Sequence, residues 1–356
     1  MNENKRWTIL VLCSLVLFLI VFAVPTIIVD PYFHYHAPLE QFYYGLDNQR
    51  SQNDGILKHF DYDAIITGTS MTENFKASEL DELFDVKSVK TCFSGGSYKE
   101  INDNLRTALE HNDNIKMIVR GLDLDYFFKY KNIMRNDLGE YPTYLYDNNI
   151  WNDVKYLFNK EILWERSLPT LINFCKGEPG GMTSFDIYSN WMDTAYFAKE
   201  GVIEKLTPYT EPLEVKSLTE EDKQVLYENF EQNVIRLAKD YPDTTFYYYF
   251  TPYSIAWWGE QWQNGELTRR IEAEKYVIEL MLECENIKLF SFNNDFGTIS
   301  DLNNYKDTIH HGDWINSKIL QDMRDEKFLL TKDNYKNYLE ELADYMDLFD
   351  YNALFL

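Results

Sequence analysis

The chain has 356 residues, 45% of them hydrophobic and 16% aromatic, with only 10 prolines. That composition supports one sizeable core and excludes a disordered chain. With 58 Asp and Glu against 34 Lys and Arg, the formal charge is −24, a balance that repels phosphate backbones and anionic lipid and argues against nucleic-acid binding.

In chain order, the first element is "WTILVLCSLVLFLIVFAVPTIIV", residues 7–29, which holds no charge. About 20 apolar residues at ~1.5 Å each span the hydrocarbon layer, so this run predicts a transmembrane anchor. A cleaved signal peptide fits less well, because no A-x-A site follows, and "ILVLC" lacks the small residues expected before a lipidated Cys13. Lys5 and Arg6 precede the span and Asp30 follows it. The positive-inside bias therefore puts the N-terminus in the cytoplasm and residues 30–356 outside the cell membrane. Cys92, Cys175 and Cys284 then form neither a C-x-x-C motif nor a disulfide framework.

Residues 30–60 open with "DPYFHYHAPLEQFYYG", whose rings suit a juxtamembrane collar. His34 and His36 form an H-x-H, but no further ligand pattern surrounds them, and no metal or other cofactor is expected. From residue 61 strands and helices alternate. "DAIIT" is a strand, "TENFKASELDELF" a helix entering from Ser70, and "VKSVKTCF" a second strand ending before Gly95-Gly96. "SYKEINDNLRTALEH" aligns Ile101, Leu105, Ala108 and Leu109 on one helical face, and "IKMIVRGLDL" is a third strand closing on Asp123. Between about 126 and 217 the rhythm stops, and this stretch is read as an insertion capping the sheet. Thr219 and Asp222 then predict a capping box. The helix it opens, the strand "TTFYYYFTPY", the helix "LTRRIEAEKYVIELMLECEN" and the strand "IKLFSF" complete the series. Such alternation predicts an α/β fold with a parallel sheet and helices on both faces.

Open α/β sheets bind ligands beyond the carboxyl ends of their strands, where Ser70, Gly95-Gly96 and Asp123 all fall. A helix starting just after Ser70 would aim N–H groups at a developing oxyanion. Near the C-terminus, "YKDTIHHGDW" contains Asp307-Thr-Ile-His310. A serine hydroxyl needs a neighbouring base, and that base needs a carboxylate to fix its tautomer; Asp and His three apart can supply both. His310, His311, Asp307 and Asp313 as a metal site is the competing reading of the same segment.

Together "GTSMTENF" and "YKDTIHHG" resemble the SGNH, or GDSL-like, hydrolase superfamily over about 60–125 and 219–325. The resemblance implies a flavodoxin-like three-layer sandwich with Ser70 as nucleophile, His310 as general base and Asp307 as its orienting carboxylate. It also makes Gly95 an oxyanion donor, with Gly96 the lesser candidate. Two departures stand out: Thr69 replaces the acidic residue of G-D-S, and Asp123 stands where an Asn donor completes the oxyanion hole. A carboxylate cannot donate unless protonated. With the anchor, "VDPYFHYHAP" and "CFSGGSYKEI", the chain resembles the membrane-anchored branch that includes the teichoic-acid D-alanylation and alginate O-acetylation proteins. That resemblance implies O-acyl transfer, of acetyl in the first instance, or ester hydrolysis on a cell-surface polysaccharide, beside a multi-pass membrane O-acyltransferase. A non-catalytic scaffold docking such a transferase is the alternative.

Overall fold

Six strands form the central sheet: β1 (Ala64–Thr67), β2 (Ser88–Lys90), β3 (Met117–Leu122), β4 (Thr245–Phe250), β5 (Ile287–Ser291) and β6 (Leu329–Leu330). Their order is β2-β1-β3-β4-β5-β6, parallel except for antiparallel β6. The structure is a computed structural model and describes residues 3–137 and 141–356. Residues 1–2 of the expected stub and 138–140 of the expected insertion lie outside the described residues.

β1 is buried along its whole length, as a strand covered on both faces must be. On one face Ala64, Ile66, Met117, Val119, Tyr249 and Phe290 pack with Leu80, Ile315, Ile319 and Met323. The last four lie on the helices Ala77–Phe84 and Asp313–Arg324. Fully burying each such side chain is worth about 1.5–3 kcal/mol. On the other face Arg120 donates to the carbonyls of Asn233 (2.6 Å) and Tyr98 (3.3 Å), and the Tyr248 hydroxyl donates to the carbonyl of Val234 (3.1 Å). Those contacts seat the helix Tyr98–His111 and the helical run 220–240. The sheet is therefore mostly parallel and covered on both faces, a mixed α/β arrangement. The expected capping box of Thr219 with Asp222 forms, and the structure adds a second, Ser97 with Glu100.

One expectation is corrected. The helix expected over residues 72–84, just after Ser70, starts only at Ala77, and residues 70–74 are turns. The cause is long-range: the buried Lys90 ammonium donates to the carbonyls of Glu73 (2.5 Å) and Phe75 (2.9 Å), while Asn74 Oδ1 accepts the Trp191 N–H (3.1 Å). The two carbonyls, which a helix would turn along its axis, are committed sideways instead.

The chain divides into two units, residues 61–135 with 185–356 around the sheet, and residues 1–60 with 136–184. The stretch 126–217 is thus shared, its middle clustering with the N-terminal sixty residues. In that unit Asp30 accepts the N–H groups of His34, Tyr35 and His36 and the hydroxyl of Tyr156, winding the collar about one carboxylate. Asp153 bonds His34 Nε2 (3.1 Å) and accepts the Tyr35 hydroxyl (3.1 Å). The unit also contains the helix Glu3–Val29, of which Asn4–Val29 is long and apolar enough to cross a membrane.

Candidate active site

The site is built at the carboxyl ends of the strands, between β1 and β3, where the strand order reverses direction. β1 ends at Thr67, and Gly68 follows at φ +146°. A Cβ at Gly68 would lie 2.6 Å from Thr72 Cγ2, so only glycine lets the chain turn there with Thr72 folded back onto the Thr69 carbonyl (2.7 Å). The turn delivers Ser70 to the edge, half-buried.

Ser70 Oγ lies 2.8 Å from His310 Nε2, across 240 residues of sequence. His310 Nδ1 lies 2.8 and 3.0 Å from the two Asp307 oxygens. An ionised carboxylate only accepts, so Nδ1 carries the proton, Nε2 is left as acceptor, and the serine hydroxyl donates to it. Asp307 is fixed by its own loop, accepting the N–H groups of Ile309 (3.0 Å) and His310 (2.8 Å). Burial alone would raise the Asp307 carboxyl, but the hydrogen bond and charge of His310 and these two N–H groups bring it down to about 2. The loop closes as a small hairpin, with Lys306 N–H to the His310 carbonyl (3.0 Å) and Gly312 N–H to the Asn304 carbonyl (2.9 Å). The Ser254 N–H (3.1 Å) and hydroxyl (2.7 Å) both donate to the Thr308 carbonyl, tying the loop to the exit of β4.

Asp123 is brought to the same edge but beneath it. Its carboxylate accepts the hydroxyls of Thr69 (2.5 Å), Tyr253 (3.0 Å) and Thr251 (3.3 Å) and is almost fully buried. Burial pushes its pKa up, against the pull of the Thr69 and Tyr253 hydroxyls. Asp123 therefore anchors the residue preceding Ser70 and offers no donor to a reacting oxygen. Gly95 sits at φ +56°, where a Cβ would collide with the Arg135 guanidinium. Gly96 N–H is spent on the Phe93 carbonyl (2.7 Å), and Phe93 N–H on that of Gly68 (2.8 Å). Of the two glycines, Gly95 is the one whose N–H is not committed to that turn.

Five contributors were not singled out from the sequence, although Lys306 and Trp314 fall within the Asp307–His310 segment. Trp191 donates from Nε1 to the Ser70 carbonyl (3.1 Å) and meets the His310 ring edge-on at 5.6 Å. Lys306 lies over the Trp191 ring at 3.7 Å. Phe197 stacks on Trp191 and meets Trp314, whose ring is exposed, giving an aromatic ladder from His310 outward. Arg135 donates to the Ser94 carbonyl (2.7 Å), bringing a cation beside Gly95.

The competing metal reading meets a different geometry. His311 is buried against Tyr305 and its pKa is pushed down to about 4 by burial, while Asp313 pairs with Lys76 at 3.2 Å. Burial distinguishes His311 from the half-buried His310. His36 reaches the carbonyl oxygens of Ala37 and Ile27, and His34 is held by Asp153. Among the described residues no three His, Cys, Asp or Glu side chains cluster closely enough to hold a metal ion.

No protein-family description matches the chain, and no curated protein matches it. Among solved structures the chain is similar to a provisionally assigned platelet activating factor from Streptococcus pneumonia, at 11% identity and a TM-score of 0.35, over 82% of this chain and 91% of that one. So distant a likeness carries no argument, and the functional reading rests on the site itself.

Proposed function

We propose that the protein is a membrane-anchored, serine-dependent acyl transferase or esterase of SGNH type, working on a cell-surface polysaccharide through an acyl-Ser70 intermediate. The observation that carries this reading is the unbroken relay from Ser70 Oγ through His310 to Asp307. The sheet order, a serine after the first strand and an Asp-x-x-His pair near the C-terminus support the flavodoxin-like, SGNH-type assignment. In the first half-reaction Ser70 Oγ bonds to the acyl carbonyl carbon and its proton passes to His310 Nε2. The tetrahedral oxyanion collapses, and the leaving alcohol departs with that proton. In the second, an acceptor hydroxyl gives its proton to His310 and takes the acyl group, and the released Ser70 Oγ recovers that proton from His310; water in that role makes the enzyme an esterase.

N–H groups of Ser70 and Gly95 stabilise the oxyanion, with the Arg135 charge nearby. Trp191 fixes the Ser70 carbonyl and the His310 ring, and the exposed Trp314 at the end of the ladder suits the face of a sugar ring. The helix Glu3–Val29 holds the domain at the extracytoplasmic face, beside a multi-pass O-acyltransferase that supplies acyl groups. Turnover of an aryl acetate by the full-length protein tests the reading. Ser70→Ala and His310→Ala each lose on the order of 10³-fold or more in kcat with a near-unchanged melt. Full activity in Ser70→Ala ends it. The missing Asn donor at Asp123 favours the one rival, a folded scaffold with no turnover in any form of the protein.

A further inference from the structure

The unit formed by residues 1–60 and 136–184 carries large apolar side chains that its own fold leaves uncovered. Trp151, Val154, Phe158, Trp164, Ile172 and Phe174 are between 37% and 82% exposed. They lie on three short helical segments, Val154–Leu157, Ile162–Ser167 and Leu168–Cys175, or just before and after them. All three segments pack against the N-terminal helix. The run "SLPTLINFC", residues 167–175, holds no charge, and no residue of Leu168–Cys175 is buried. A soluble surface has no reason to present such a helix.

Where along the N-terminal helix these segments sit decides what covers them. Counting about 20 residues for the hydrocarbon layer from Trp7, just after Lys5 and Arg6, the far boundary falls near Thr26. Residues 4–21 of the helix are exposed throughout, whereas Phe22, Ala23 and Pro25 are half-buried and Thr26 and Val29 buried. Thr26 Oγ1 lies 3.3 Å from Ser167 Oγ. The packing is thus confined to the last two turns, at the depth of the outer headgroups. Indole rings favour that depth, and lysines beside it reach for phosphate.

Charge agrees. In a chain of formal charge −24, residues 150–176 set Lys155, Lys160, Arg166 and Lys176 against Asp153, Glu161 and Glu165. The acidic surface that repels anionic lipid is relieved in this segment.

We infer that residues 150–175 form a second membrane contact, an interfacial platform seated in the outer leaflet beside the end of the anchor. It fixes the unit against the bilayer by more than a single tethering helix. The inference rests on reading the N-terminal helix as a span, and native cysteines separate the two claims. Cys13 and Cys175 are exposed, whereas Cys92 and Cys284 are buried. Full-length protein is reconstituted in vesicles of zwitterionic and anionic phospholipid, with an environment-sensitive fluorophore on Cys175 in Cys13→Ala, or on Cys13 in Cys175→Ala. Lipids spin-labelled near the headgroup or deep in the chain, and aqueous iodide, serve as quenchers.

The expected result is loss of Cys13 emission to the deep label, and loss of Cys175 emission to the shallow label exceeding the loss to iodide. Cys13 quenched deeply with Cys175 open to iodide overturns the platform and leaves the anchor. Cys175 shielded from both lipid and iodide also overturns it, because a protein then covers the surface. Failure at Cys13 removes the span on which the inference stands. Replacing Ile172 and Phe174 together by Glu, with circular dichroism to show the fold intact, is expected to shift Cys175 from lipid to iodide quenching.

Discussion

Asp307 and Asp123 show how two carboxylates at one sheet edge acquire different work. Asp307 is partly exposed, held low by His310, and orients an imidazole. Asp123 is buried, pushed up, and acts as a common acceptor for three hydroxyls. Asp307→Ala removes the partner of Nδ1–H, so turnover falls on the order of 10³-fold, while its partly exposed carboxylate costs less in denaturant unfolding than the buried Asp123 does. Asp123→Ala strands the hydroxyls of Thr69, Thr251 and Tyr253, and costs roughly 2–4 kcal/mol in the same unfolding experiment. Equal stability loss in the two variants would contradict the division. The Asp307–His310 pair was legible in sequence because its members are three residues apart and bonded within one loop. Asp123 was legible as a place in the fold but not as a role, since its partners Thr69 and Tyr253 lie 54 and 130 residues away. Trp191 had no local pattern at all.

At the scale of elements, the turn after β1 is the decisive piece. Strand alternation placed it correctly, because β1 to β5 are short, largely buried runs bounded by polar turns. The helix start was misread because residues 72–84 look helical locally, and what unwinds 70–74 is the ammonium of Lys90 on the neighbouring strand. Burial holds that ammonium down to about 8, and it stays in place by bonding the Glu73 and Phe75 carbonyls. Lys90→Met keeps the packing and leaves both carbonyls without a donor. Amide exchange over residues 71–76 is expected to accelerate, and turnover to fall further than global stability. Unchanged exchange would show that the turn holds itself. The antiparallel β6, two residues long, was too short to announce itself. The middle of the 126–217 stretch, rich in Tyr, Trp and Asn without a period, gave no hint that it clusters with the collar around Asp30 and Asp153.

Over the whole molecule, acidity is distributed with consequences for pH. Glu274 is fully buried, accepting from Tyr338 (2.6 Å) and Asn293 (3.3 Å), and burial pushes it up to about 7. An unfolded glutamate releases its proton near about 4.3. Between those values the folded state binds the proton that the unfolded state has lost, so this residue's contribution to stability falls as pH rises through the window and levels above it. Asp307 acts oppositely: its depressed pKa contributes stability above the ordinary carboxylate range, lost as pH falls towards about 2. Unfolding free energies of Glu274→Gln and wild type should therefore diverge in the variant's favour from about pH 4 to about pH 7. A constant difference across that range would show that Glu274 is ionised throughout.

The central claim is an activated nucleophile at Ser70, and covalent trapping tests it without knowledge of donor or acceptor. Detergent-solubilised full-length protein is treated with a fluorophosphonate, and the adduct is mapped by mass spectrometry beside Ser70→Ala. A hydrolysis assay alone is weaker here, because a transferase can shield its acyl intermediate from water. The account predicts a single adduct on Ser70, absent from the Ser70→Ala protein and strongly reduced in His310→Ala. A folded wild-type protein that takes no adduct, or one labelled equally in Ser70→Ala, would contradict it.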